Sequence, residues 1–269
     1  MKKVIIVLIL IIIGIILYAR FVGPQNYKIV EHTIEIENLS EPFNGFKIVQ
    51  FSDLLIGSTK TVEDLEQIVA DINKMDADII VFSGDLVNSN YNLSNEEVEK
   101  VKELLRSLDC TLYKYAVIGD SDSDNYKEIM TDSDFIVLDN ESTYIFYEDI
   151  NPIKITGITD TSNVEKALST TDNLDTIYNI VITHYPDNID EISKYDVDLV
   201  IAGHSLLGQI RLPFVGGIIR KDSAQKYIDN YYEINNTKMY VSSGLGIDNN
   251  YYYRLFNKPE INLYRLKTK

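Results

Sequence analysis

Residues 202–213 read AGHSLLGQIRLP, a stretch that begins as a buried strand and ends as a polar loop. It continues an apolar run, Leu199, Val200, Ile201 and Ala202, with the length and composition of a core strand. The run breaks at Gly203-His204, so the strand end delivers an imidazole into a loop. An isolated Gly-His pair is ordinarily a loop histidine with its hydrogen bonds satisfied. This pair has company upstream: Phe51-Ser52-Asp53-Leu54, Ser83-Gly84-Asp85-Leu86-Val87, Gly119-Asp120-Ser121-Asp122 and Thr183-His184-Tyr185-Pro186-Asp187 also follow apolar runs.

Working outward, strands are predicted at residues 27–36, 46–51, 78–82 and 113–118. Between them, residues 61–74 place Val62, Leu65, Ile68, Val69 and Ile72 at helical spacing behind Thr61 as a cap. Residues 94–108 form a second helix opened by Ser94 and Glu97 in capping-box spacing. This rhythm predicts an α/β fold with its sites at the carboxyl ends of strands. The second half is less regular, with strands at 144–147, 153–157, 177–183, 198–202, 239–242 and 261–266 and a helix near 164–168. Two β-sheets packed together and covered by helices accommodate that count.

The chain has 269 residues, 45% of them hydrophobic, which suits one large globular domain. A net charge of −16, from 41 acidic and 25 basic residues, opposes nucleic acid and anionic lipid as partners. The single cysteine, Cys110, forms no internal disulfide and is expected to be a buried structural thiol. His32 is expected at the surface of the first strand. The runs Tyr231-Tyr232 and Tyr251-Tyr252-Tyr253 are expected to cover a half-buried surface.

At the N-terminus, Lys2 and Lys3 precede Ile, Leu and Val residues from Val4 to Tyr18, broken only by Gly14. With Ala19, Phe21 and Val22 the run reaches the roughly 20 residues of a membrane span, leaving Arg20 to snorkel. Tyr18-Ala19-Arg20 lacks the small residues of a cleavage site, which favours an uncleaved anchor over a signal peptide. The two lysines belong in the cytoplasm, so the chain after the anchor is expected outside it, as a single-pass cell-membrane protein. A Gly23-Pro24 hinge then divides an anchor at 1–24 from a domain at 25–269.

The strand-end motifs, followed by Gly208-Gln209-Ile210-Arg211-Leu212-Pro213, resemble the motif series of the calcineurin-like metallophosphoesterases, in their membrane-anchored bacterial branch. Val241-Ser242-Ser243-Gly244-Leu245-Gly246, Arg254-Leu255-Phe256 and Pro259-Glu260-Ile261 resemble the closing segment of that branch, so the resemblance covers residues 27–266. It implies a four-layer α-β-β-α sandwich for the domain at 25–269. It also implies two divalent metals that activate water and clamp a phosphate. The first metal would take Asp53, the residue at 55, bridging Asp85 and the residue at 206. The second would take Asp85, the residue at 120, His184 and His204.

This chain departs from the pattern at Leu55 and Leu206, where the family has histidines, and at Asp120-Ser121, where it has Asn-His. Leucine binds no metal, so the first site is expected to be absent. Asp85, Asp120, His184 and His204 remain a competent set for one divalent ion, Zn, Mn or Fe. Ser121 stands where the family has the histidine thought to protonate the leaving group or steady the phosphate, and no residue is assigned as catalytic. For the acidic residues and His184, simpler roles stay open: a helix cap for Asp85, solvated turns for Asp120 and Asp122, a loop histidine for His184. Without a first metal, Asp53 must keep water, find a cation or become neutral. The expected function is therefore a family member with phosphoester hydrolysis reduced or lost, or else a one-metal phosphodiesterase or pyrophosphatase acting outside the cytoplasm. The expected partners are a phosphorylated small molecule or a cell-surface ligand, and the membrane through the N-terminal helix.

Overall fold

The computed structural model describes residues 1–148, 150–169, 176–248 and 250–269. An apolar helix, α1 (Lys2–Leu17), runs into a π-helical turn (Tyr18–Val22); together they are long and apolar enough to cross a membrane. The next elements are β1 (Lys28–Ile36), β2 (Lys47–Phe51), α2 (Val62–Asn73), β3 (Ala77–Phe82), α3 (Asn95–Arg106), β4 (Cys110–Ala116), α4 (Tyr126–Asp132) and β5 (Phe135–Val137). Then come β6 (Glu141–Ile145), β7 (Ile153–Ile158), α5 (Val164–Leu168), β8 (Tyr178–Thr183), α6 (Ile189–Ile192) and β9 (Leu199–Ala202). The chain closes with a small hairpin, β10 (Arg211–Leu212) and β11 (Gly216–Gly217), then β12 (Tyr231–Ile234), β13 (Thr237–Val241) and β14 (Glu260–Thr268).

Two six-stranded sheets result, ordered β1-β14-β2-β3-β4-β5 and β12-β13-β9-β8-β7-β6. The layering follows from the two-residue repeat of strands. Val49, Phe51, Ile80 and Phe82 face Leu65, Ile68, Val101, Leu105 and Ile129 of the helices on the first sheet. Their alternates Ile48, Ile79 and Val81 turn the other way and meet Ile155, Ile180, Ile182, Leu199 and Ile201 between the sheets. Val181, Val200, Ala202 and Met239 face Val164, Ile189 and Ile192 on the far side. The order is helices, sheet, sheet, helices, and both faces of the central strands are buried, which is why they read as unbroken apolar runs.

Helices α2 and α3 start at the expected residues, each closed by a full capping box, Thr61 with Asp64 and Ser94 with Glu97. Strand β4 lies three residues earlier than its apolar run suggests, because Cys110 pairs with Ala77 on β3. Strand β6 is likewise displaced toward Glu141, set by its antiparallel register on β7. Cys110 is half-buried rather than buried, since it sits at the open start of a strand. His32 is not a surface residue: its ring stacks on Tyr264 and tilts against Tyr240, and Nε2 meets Asn262 Oδ1 at 3.1 Å. Tyr232 is half-buried as expected, whereas Tyr231 and Tyr251 to Tyr253 are exposed. Gly23-Pro24 is a packed corner: Gly23 N donates to Tyr18 O, and a Cβ on Gly23 would collide with the Arg254 carbonyl.

Candidate metal centre

The carboxyl ends of six parallel strands, β2, β3 and β4 in one sheet and β8, β9 and β13 in the other, converge on one place. Beneath it, buried Gln50 ties the sheets together: its amide donates to Ser83 Oγ and to Ala202 O, and its carbonyl accepts from Tyr264 OH. Asp53, Asp85, Asp120, His184 and His204 all project from these ends. The approach is so close that a Cβ on Gly119 would lie 2.3 Å from Asp85 Oδ1, and Gly84 carries a φ of +94° against His184. The glycines of the motifs are spacing, and only they let the acidic loops meet the imidazole.

Among the described residues, Asp85, Asp120, His184 and His204 each offer a ligand atom, all within 4.8 Å of one another. Carbonyl groups set the tautomers. His184 Nδ1 lies 2.6 Å from Ser83 O and His204 Nε2 lies 2.7 Å from Asp222 O, so both nitrogens donate outward. The inward nitrogens, His184 Nε2 and His204 Nδ1, then face each other as lone pairs only 3.1 Å apart. Asp120 Oδ1 is 3.2 Å from the first and 2.9 Å from the second, and Asp85 Oδ2 is 3.4 Å from His184 Nε2. Asp85 Oδ2 has no hydrogen-bond donor. Lone pairs and orphaned carboxylate oxygens aimed at one point call for a cation, and the two-carboxylate, two-imidazole set fits a divalent transition metal. Without an ion, burial opposes protonation of His184 but Asp85, Asp120 and Asp53 outweigh it and hold its pKa well above the ordinary value, so a proton on Nε2 takes the cation's place and a bound ion must displace it.

The other half of the centre is built differently. Asp53 is fully buried, its Oδ2 accepts the backbone N–H of His204 at 3.2 Å, and its Oδ1 has no partner. Leu55 and Leu206 are buried beside it, and a Cβ on Gly244 would meet Leu206 Cδ2 and Asp53 Cβ at once. Burial pushes the Asp53 carboxyl up, and Asp85 adds to this against His184 and Lys221. Asp85 is instead held down: burial raises it, but His184 and Lys221 outweigh that. Asp53, Leu55, Asp85, His204, Leu206 and Leu207 all have φ between +46° and +65°. That left-handed backbone costs a non-glycine residue about 1–3 kcal/mol, and a leucine side chain makes no local hydrogen bond to offset it. The loop geometry serves the centre even where the side chain does not.

Lys221 escapes sequence reading altogether, and the structure gives Asp122 and Ser121 roles that the sequence does not suggest. Asp122 is neither a ligand nor a solvated turn: its carboxylate accepts the backbone N–H groups of Asp85, Leu86 and Gly119 and so staples two acidic loops. Ser121 is half-exposed and gives its backbone N–H to Asp85 Oδ1 at 2.9 Å. Lys221 comes from an irregular loop that carries no motif. Its side chain is 13% exposed and its Nζ is 3.7 Å from Asp248 Oδ2. Burial works against its charge, yet Asp85, Asp53, Asp120 and Asp248 together raise its pKa. With Asp120, Tyr185, His204 and Arg220 it lines a cavity of about 440 Å³.

Residues 46–207 match the family model of the calcineurin-like phosphoesterases. The chain is similar to an uncharacterized metallophosphoesterase of Bacillus subtilis, YkuE, with 33% identity over 93% of this chain and 89% of that protein. It is 27% identical to a transmembrane protein with metallophosphoesterase domain of Danio rerio, over 76% of this chain and 50% of that one. It is 24% identical to the UDP-2,3-diacylglucosamine pyrophosphatase LpxG of Chlamydia trachomatis, over 73% of this chain and 74% of that one. With its matched residues spanning the strand ends that build the centre, the chain belongs to the calcineurin-like metallophosphoesterase family.

Proposed function

We propose that this chain is a membrane-anchored, one-cation member of the family whose phosphoester hydrolysis is much reduced. The observation that carries this reading is the asymmetry of the centre: four ligand atoms lie within 4.8 Å of one another on one side, and two buried leucines flank a carboxylate with one unpartnered oxygen on the other. Asp85, Asp120, His184 and His204 would hold the ion. A bound divalent ion supplies Lewis-acid chemistry toward water and a phosphoryl oxygen. Lys221 supplies a fixed positive charge to Asp53 and Asp85 and faces the same cavity, where it attracts a phosphate. The Ser121 hydroxyl is far too weak an acid to protonate a leaving group at neutral pH, and a positioned acid is typically worth about 10²- to 10⁴-fold.

A second reading, hydrolysis of a pyrophosphate outside the cytoplasm by the same single ion, draws support from the similarity to the Chlamydia pyrophosphatase. In both readings Lys2 and Lys3 keep the N-terminus in the cytoplasm and the centre works on the opposite side of the membrane. The test is hydrolysis of bis(p-nitrophenyl) phosphate by the full chain in detergent. Turnover should be slow, depend on added Mn or Zn, and vanish in His184→Ala. Hydrolysis that survives either chelation or His184→Ala would refute the one-cation reading.

A further inference from the structure

The β10–β11 hairpin packs at its base, where Gly217 lies against Leu207, Gly208 and Ile228, but its tip stands clear of the domain. Its tip carries Phe214, 109% exposed, and Val215, 70% exposed, flanked by exposed Leu212 and Ile218. Phe214 has a φ of +67°, a backbone state that turns normally give to glycine or asparagine. A strained turn that projects a bare aromatic ring into solvent is explained neither by turn chemistry nor by packing.

The hairpin is fastened to the foot of the apolar helix. Arg211 N donates to Leu255 O at 2.9 Å, and Gln209 Nε2 donates to Tyr253 O at 3.1 Å. The segment so held bears exposed Tyr252 and Phe256, the latter 65% exposed. Its other side grips the helix: Arg254 N donates to Ala19 O at 2.8 Å, and the Arg20 guanidinium lies 5.5 Å from the Tyr252 ring centre. Lys258 is exposed at the same place and lines a cavity with Tyr18, Lys28 and Phe256; Lys28 is paired with Glu260 at 3.1 Å, so Arg20 and Lys258 make the local basic cluster in an acidic chain.

Topology puts the metal centre at this end too. Strand β1 starts at Lys28 next to the foot, β14 runs parallel to it, and β2 runs antiparallel to β14. Strands β2, β3 and β4 therefore point their carboxyl ends toward the helix foot.

We propose that Leu212, Phe214, Val215, Ile218, Tyr252 and Phe256 dock on the bilayer that α1 crosses, with the hairpin tip at the boundary between headgroups and acyl chains. Aromatic and aliphatic side chains beside a basic cluster suit that boundary. The tether holds the domain at the surface, so a patch too weak to bind a membrane alone still docks. Docking turns the metal centre toward the headgroups. The proposal rests on the anchor reading of α1, and its test separates the two.

The chain contains no tryptophan, so single-tryptophan variants of the full chain report their own surroundings. The variants Phe214→Trp, Val7→Trp in the helix and Tyr113→Trp, exposed in the middle of β4 and outside the patch, are reconstituted in vesicles of phosphatidylcholine and phosphatidylglycerol. Phe214→Trp should emit to the blue of free tryptophan and lose intensity when the acyl chains are brominated. Val7→Trp should lose intensity as well, and Tyr113→Trp should not. Quenching at position 7 without quenching at 214 overturns the docking and leaves the anchor. No quenching at 7 overturns the anchor and the docking with it. A blue shift at 214 that bromine leaves untouched and dilution reverses means that a second copy covers the patch, which also overturns the proposal.

Discussion

The two halves of the centre share loops, backbone strain and burial, yet they are chemically opposite. Around His184 and His204, every inward atom is a donor of electrons and every outward nitrogen is anchored to a carbonyl. Around Asp53, two leucines close off the space and one carboxylate oxygen is left alone. Both halves keep left-handed residues at matching places, Asp85 and His204 in one, Asp53, Leu55 and Leu206 in the other. The loop conformation around Leu55 is fixed by hydrogen bonds such as Leu55 N to Asp85 O and not by the side chain it presents.

The strongest way to break this contrast is to rebuild the poor half. Leu55→His, Ser121→His and Leu206→His together should add a second metal and raise phosphodiester turnover by about 10²- to 10⁴-fold in steady-state assays. A folded triple variant that binds a second ion without gaining turnover would show that more than ligands separates the halves. Conversely, His184→Ala should weaken metal binding by more than about 100-fold, since even outer-shell partners are worth 10- to 100-fold.

The two buried aspartates sharpen the contrast after chelation. The Asp53 carboxyl is raised, so the stability it contributes is present below the unfolded-state pKa and is lost as pH rises through the folded value. Asp53→Asn should remove that loss and stabilise the metal-free chain at neutral pH by about 1–3 kcal/mol in thermal or urea unfolding. Asp85 is depressed, so its contribution is present above the unfolded-state pKa and is lost as pH falls through the folded value. Asp85→Asn should therefore destabilise at neutral pH, with the opposite sign. A smaller effect concerns Lys221. Lys221→Met should be destabilising, and Asp53→Asn should offset it by about 0.5–3 kcal/mol in a double-mutant cycle. Coupling to Asp248→Asn alone would reduce Lys221 to a local ion pair.

Much of this was legible in the sequence. The strand ends that carry Asp53, Asp85, Asp120, His184 and His204 stand out because buried strands are short apolar runs, ended by glycine before Asp85, Asp120 and His204 and by Ser52 or Thr183 before the other two. Helix α3 announces itself by its capping box and α2 by its apolar period behind Thr61. What stayed hidden depends on tertiary placement. Lys221 looks like any loop lysine until the fold brings it toward four carboxylates. Short elements such as α4, of seven residues, and β5, of three, repeat their pattern too few times to stand out. His32 reads as a surface residue because its Tyr240 and Tyr264 neighbours are remote in sequence.

The most direct test is the number of ions each chain holds. The full chain, loaded with excess Mn or Zn, freed of loose ion and analysed by plasma mass spectrometry beside its His184→Ala variant, should carry about one ion per chain in the parent and none in the variant. Two ions per chain, or one that remains in His184→Ala, would contradict the account.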